Sequence, residues 1–200
     1  MVETQIRNRG VSNNEVLNAM KRVPRHLFVP KEYIDEAYND YPLPIGYGQT
    51  ISQPFIVAYM TEAVRPTGKK RALEIGTGCG YQAAVLAEIV DKVYTIEIVP
   101  ELAKESAGRL EKMGYNNIIC KYGDGYLGWP EHAPFDIIVV TAAPEEIPQP
   151  LIDQLAEGGR LIIPVGATGG VQELILLTKR NGRTETQRLS FVRFVPFKRL

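Results

Sequence analysis

The sequence predicts an α/β fold: a doubly wound, mostly parallel sheet with N-terminal helices and a C-terminal antiparallel hairpin. Three observations predict it. Short apolar runs alternate with helical stretches from Arg71 to Val165, which implies right-handed crossovers and a parallel sheet covered on both faces. A glycine-rich loop follows the first of those runs, "RALEI". Asn181-Gly182 separates two strand-like runs, a strong signal for a tight hairpin.

The elements follow in order. Ser12 and Glu15 fit a capping box that opens a helix carrying Val16, Leu17, Met20 and Val23 at helical spacing, and Pro24 ends it. "KEYIDEAY" offers a short second helix. "NDYPLPIGYGQTISQP" (Asn39–Pro54) has no period and reads as a long loop. Loops of this length in compact domains are usually functional or disordered, and its tyrosines and isoleucines argue for packing. "PFIVAYMTEAV" reads as a helix with Pro54 in its first turn. Then come the strand "RALEI", the helix "YQAAVLAEIV", the strand "KVYTIEI" and the helix "PELAKESAGRLEKMG". "NIICKYG", "FDIIVVTA" and "GGRLIIPVG" are three more strands, and "QELILLTK" with "TETQRLSFVRFVPF" forms the closing hairpin. At 200 residues the chain is expected to be one domain, with 1–52 a helical and loop addition and 53–200 the sheet core.

Composition narrows the function. Lys plus Arg and Asp plus Glu both number 23, so no net field draws the chain to nucleic acid or anionic lipid. The longest fully apolar runs, such as Ile137–Val140, are too short to span a bilayer, and the N-terminal stretch lacks a signal-like apolar core. Only Cys79, Cys120, His26 and His132 are present, which is neither a disulfide framework nor an obvious zinc site. A cytoplasmic monomer without metal, membrane or nucleic-acid partner is the expectation.

Ligands of open α/β sheets bind outside the carboxyl ends of the strands. Gly76, Gly78 and Gly80 stand at the first of those ends, where a backbone without Cβ atoms admits a ligand and the next helix offers its N–H groups. The next strand ends in Glu97, 21 residues after Gly76, where a carboxylate can accept hydrogen bonds from a ribose diol. The third leads to Gly123-Asp124-Gly125, where Asp124 can accept from an adenine amine. Singly these are also a tight turn, a solvated strand end and an Asx turn; together, in this order, they read as an adenosine site. The spacing G-x-G-x-G departs from the dinucleotide fingerprint. No tyrosine has a lysine four residues on, as a short-chain dehydrogenase would need. S-adenosyl-L-methionine has no pyrophosphate and suits the bare loop, with Glu74 a candidate for orienting its ammonium group, directly or through water.

"LEIGTGCGYQ", "VYTIEIVPEL", "GDGYLGW", "APFDIIVVTAAPEEIP" and "LAEGGRLIIPVG" together resemble the motifs of the protein-L-isoaspartate O-methyltransferase family. "GYGQTISQP" resembles the segment that sets this family apart from other Rossmann-like methyltransferases, and "VPRHLFVP" and "VRFVPF" are similar to its terminal elements. The resemblance covers nearly the whole chain. It implies a Rossmann-like fold and transfer of a methyl group from S-adenosyl-L-methionine, leaving S-adenosyl-L-homocysteine. The acceptor it implies is the free α-carboxylate of isoaspartyl residues in damaged peptides and proteins. It further implies cofactor contacts from Glu74, Gly76, Thr77, Gly78, Glu97, Ile98, Asp124 and Gly125, and substrate contacts from Thr50, Ile51, Ser52, Gln53 and Val195, with Ser52 the active-site residue. Read from residues alone, Ser52 is a helix N-cap ahead of "QPFIVAYM". Phe55 either packs on the cofactor or belongs to the core, and Cys79 is a tolerated small side chain. Methyl transfer to another acceptor, and a cofactor-dependent binding module without turnover, are the alternatives.

Overall fold

The computed structural model describes residues 1–200. The first α-helix, α1, spans Asn14–Arg22, and its cap is Asn13: the Asn13 side chain accepts the Val16 N–H at 3.1 Å. The expected cap, Ser12, lies one residue too early. Its main-chain N–H and that of Asn13 donate instead to Glu62 Oε1, at 2.8 and 2.6 Å. Lys31–Glu36 is a 3-10 helix, with the Tyr33 N–H donating to Pro30 O and the Ala37 N–H to Ile34 O.

The stretch expected to be a loop, Asn39–Pro54, contains an antiparallel hairpin of β1 (Leu43–Gly46) and β2 (Gln49–Ile51). Its strands are too short to carry a period of two, and the register shifts between Pro44 and Gly46. Tyr47 and Gly48 turn the chain with φ of +54° and +70°, the geometry that matches strand twist in a two-residue hairpin. Helix α2 (Pro54–Ala63) follows with Pro54 in its first turn, as predicted.

From Arg71 the alternation is as the sequence predicts. The elements are β3 (Arg71–Ile75), α3 (Tyr81–Ala87), β4 (Lys92–Glu97), α4 (Pro100–Lys112), β5 (Ile118–Tyr122) and β6 (Phe135–Val140). Then come α5 (Gln149–Asp153), β7 (Leu155–Val165), β8 (Gln172–Arg180) and β9 (Arg183–Val192). The seven-stranded sheet has the order β5-β4-β3-β6-β7-β8-β9. Strands β3 to β7 pair in parallel, and β8 and β9 are antiparallel additions. Asn181 and Gly182 form the last turn with positive φ at both positions, as the sequence signal requires.

Burial alternates along the strands because successive side chains point to opposite faces. Ala72, Val93, Ile137 and Val139 join a large apolar cluster that also holds Ile6, Val16 and Phe28 from the N-terminal segments. Leu73, Ile75, Tyr94, Ile138 and Val140 face a smaller cluster that includes Leu151 of α5. The chain winds outward from β3 through β4 and β5, then crosses back to β6 on the other side of β3. The winding direction therefore switches at the carboxyl ends of β3 and β6.

The cap assignment is testable by chemical denaturation. Asn13→Ala is expected to lower stability by about 1 kcal/mol, whereas Ser12→Ala, which keeps the main-chain bond to Glu62, leaves it nearly unchanged.

Candidate active site

The loop after β3 is built against the end of β6. Gly76 has φ of +93°, and a Cβ there would lie 2.4 Å from Thr141 Oγ1, so both conformation and space require glycine. Thr141 donates its hydroxyl to Gly76 O at 2.7 Å and shares it with Ile75 O at 3.0 Å. The same close packing recurs at Gly125, whose added Cβ would meet Ile75 Cγ2 at 2.3 Å.

Glu97, at the end of β4, ties this loop down. Its Oε2 accepts the Gly78 N–H at 2.7 Å, and its Oε1 accepts those of Ile98 and Val99 at 2.9 Å each. A carboxylate offers about four acceptor positions, so roughly one remains for a ligand hydroxyl. The sequence suggested a carboxylate free for a diol; the main chain of the glycine loop and of the approach to α4 has already claimed most of it.

Glu74 is fully buried in β3. Its Oε2 accepts the Thr95 hydroxyl at 2.5 Å, and the Thr95 and Thr77 hydroxyls lie 2.6 Å apart. Its Oε1 has no hydrogen-bond partner. Burial pushes the Glu74 carboxyl up to about 8; the Thr95 hydrogen bond opposes this, and the nearby Glu97 charge adds to it.

Three adjoining cavities surround these groups. A cleft is lined by Gly76, Gly78, Glu97, Ile98 and Gly125 on the sheet side, with Gln49 and Thr50 of β2 and the segment Val195–Lys198 around it. An inner pocket holds Thr50, Ile51, Ser52, Glu74, Gly76, Thr77, Gly78 and Gln82 among its walls. An open groove runs past Thr50, Ser52, Gln53, Ile56, Arg193 and Val195. Thr50 borders all three cavities, and Ser52 borders the last two. Thr50, Ile51, Ser52, Gln53 and Val195 are thus brought together with the glycine loop.

Ser52 is not the cap of α2. Gln53 occupies that position without a side-chain cap bond, and its Nε2 donates to Asp40 O at 2.9 Å. Asp124 differs from expectation in another way. Its Oδ1 accepts the Tyr126 N–H at 3.0 Å and its Oδ2 accepts Arg199 Nε–H at 2.8 Å, and it is not among the residues lining the cleft. Phe55 stacks on Tyr59 at 5.6 Å and lies under the Arg9 guanidinium at 3.7 Å, outside the three cavities.

Sequence reasoning missed Thr141, Gln82 and Lys198, and it took Pro196 and Phe197, within "VRFVPF", only as a terminal element beside the substrate and not as part of the cleft. Thr141 follows the last residue of β6, and the rule that ligands bind at strand carboxyl ends points to it. Gln82 and Lys198 carry no such local signal.

Residues 1–199 match the family described as protein-L-isoaspartate(D-aspartate) O-methyltransferase. The chain belongs to this family. A protein-L-isoaspartate O-methyltransferase of Gloeobacter violaceus is 61% identical over 199 residues, which cover all of this chain and 97% of that one. Among solved structures, a protein-L-isoaspartate O-methyltransferase superposes with a TM-score of 0.89 at 32% identity; the match covers 98% of this chain and 65% of that longer one. A candidate family enzyme of Plasmodium falciparum, crystallised with S-adenosyl-L-homocysteine, gives a TM-score of 0.82 at 30% identity, covering 100% of this chain and 97% of the other. The architecture is accordingly the Rossmann-like methyltransferase fold, a mostly parallel seven-stranded sheet with antiparallel strands at its C-terminal edge.

Glu74 makes stability depend on pH in a defined direction. Its native pKa of about 8 exceeds the ordinary 4.5, so between these values the native state holds a proton that the unfolded chain has lost. Its contribution to stability is full at low pH, falls as pH rises through this window and levels off above about 8. Glu74→Gln should remove that fall, so urea midpoints measured at about pH 5.5 and 7.5 should differ less than in wild type.

Proposed function

We propose that the chain transfers a methyl group from S-adenosyl-L-methionine to the free α-carboxylate of L-isoaspartyl residues in damaged peptides and proteins, the step that initiates repair to aspartyl. The observation that carries this reading is the meeting of the cleft, the inner pocket and the open groove at Thr50, with Ser52 between the inner pocket and the groove.

The residues fit the cofactor. Glu74 lines the inner pocket with one buried carboxyl oxygen unpartnered, an acceptor suited to an ammonium group. Gly76 and Gly78 present bare main chain to the cleft and the inner pocket. Glu97 keeps an acceptor position for a ribose hydroxyl, and Ile98 and Gly125 offer apolar surface for a base. When bound, S-adenosyl-L-methionine supplies an electrophilic methyl on a cationic sulfur. An isoaspartyl α-carboxylate has an ordinary pKa of about 3.5 and is ionised at neutral pH. The protein therefore has no proton to remove, and its work is to orient the carboxylate and exclude water. Thr50 and Ser52 are the orienting residues. The Ser52 hydroxyl makes no hydrogen bond within the chain and stays available to an anion, while Ile51, Gln53 and Val195 shape the groove around it.

The chain is read as a single functional unit, because the large apolar cluster joins residues on both sides of position 52. We further read it as a cytoplasmic monomer. No helix is long and apolar enough to cross a membrane, and Cys79 and Cys120 are free thiols. An isoaspartyl peptide and its aspartyl twin, offered with labelled cofactor, test the activity: methylation of the isoaspartyl form alone is expected, and equal labelling or none overturns the reading.

Two substitutions test the assignments within the site. Glu97→Ala should weaken cofactor binding by at least roughly 10- to 150-fold in calorimetry, because it removes a charge-assisted acceptor and leaves the Gly78, Ile98 and Val99 N–H groups without theirs. Ser52→Ala should lower kcat/KM by roughly 10- to 150-fold with cofactor affinity nearly unchanged. Because Gln53 holds the cap position, Ser52→Ala should not move the melting temperature; full activity would remove Ser52 from the mechanism.

A further inference from the structure

The C-terminal segment crosses the cofactor cleft. Val195, Pro196, Phe197 and Lys198 form one wall of it, opposite the floor of Gly76, Glu97 and Ile98. Two main-chain hydrogen bonds attach this segment to the connection after β6, from the Ala143 N–H to Val195 O at 2.9 Å and from the Phe197 N–H to Ala143 O at 3.0 Å. Both lie on the Ala143 side. On the opposite side, near β5, Arg199 and Phe197 both reach the turn after that strand.

Arg199 makes two contacts, both to residues of the turn after β5. Its Nε–H donates to Asp124 Oδ2 at 2.8 Å, and its guanidinium lies 3.7 Å from the centre of the Tyr126 ring. Phe197 meets the same ring edge-on at 6.5 Å. The segment is thereby strung from Ala143, past the end of β6, to Asp124 and Tyr126, past the end of β5. The cleft lies beneath that span.

We propose that Arg199 is a positioning residue for the cofactor site, a latch that holds Val195–Lys198 across the bound cofactor and slows its release. This rests on the cofactor reading given above. The latch does not exclude a role for Asp124 at the adenine. Arg199, the Tyr126 N–H and the main chain of Leu200 use three of about four acceptor positions on the carboxylate, so one position is left for a ligand amine beside the arginine. Arg199 also holds that carboxylate in one orientation. A guanidinium suits the position because it pairs with an acid and stacks on an aromatic face at once.

Arg199 is half exposed, so its side chain can be removed without opening a cavity. The test uses the full chain with S-adenosyl-L-homocysteine as probe, measuring affinity by calorimetry and dissociation by surface plasmon resonance. Arg199→Ala should weaken binding by roughly 3- to 10-fold, with the change in the dissociation rate rather than in association. Arg199→Lys should fall between the two proteins, because lysine keeps the charge but not the flat stacking surface. KM for the cofactor should rise while KM for an isoaspartyl peptide stays unchanged, a split that general destabilisation would not produce. Tighter binding or faster association in Arg199→Ala would make the contact a competitor for Asp124 and overturn the proposal, as would unchanged rates. Failure of the wild-type chain to bind the probe would instead sink the cofactor reading itself.

Discussion

The carboxylate of Glu97 and the three main-chain N–H groups it gathers form the interaction on which the cofactor end of this protein depends. Glu97 is 5% exposed, and a carboxylate that far from water is costly unless hydrogen-bonded. Its donors come from the loop after β3 and from the approach to α4, so satisfying the charge also fixes two connections. The Glu97 carbonyl accepts the Gly123 N–H at 2.9 Å and brings in the turn after β5. One residue thus aligns three strand ends.

Against that fixed frame, Glu74 stands as a buried acid whose charge the fold disfavours. Its neighbours donate one hydroxyl and leave one oxygen empty, and Glu97 repels a second negative charge. A cation beside it would reverse the balance, because an opposite charge within a few ångströms favours the ionised form. The strand therefore stores an unfavourable arrangement in the wall of the inner pocket.

The groove side of the site is made by segments outside the parallel sheet. The β1–β2 hairpin brings Thr50 to the junction of the three cavities, and the segment after β9 brings Val195 to the other side. Neither carries a general base, and carboxylate methylation needs none. Enclosure and alignment are what this architecture supplies.

By itself the sequence determined the parallel sheet, the crossover helices, the glycine loop, Glu97 at its strand end and the Asn181-Gly182 turn. Each of these is written in local terms: a burial period, a residue that tolerates positive φ, a position just past an apolar run. The tertiary structure alone decided which partner each polar group takes. The cap fell to Asn13 rather than Ser12, and Glu62, 50 residues on from Ser12, holds the main-chain N–H groups of both. Thr141 meets Gly76 across 65 residues because the chain reverses its winding between β5 and β6. Asp124 is held by Arg199, 75 residues away, through a segment whose course depends on the edge of the sheet. Such pairings rest on how crossovers return strands to one another, and no local pattern records that geometry.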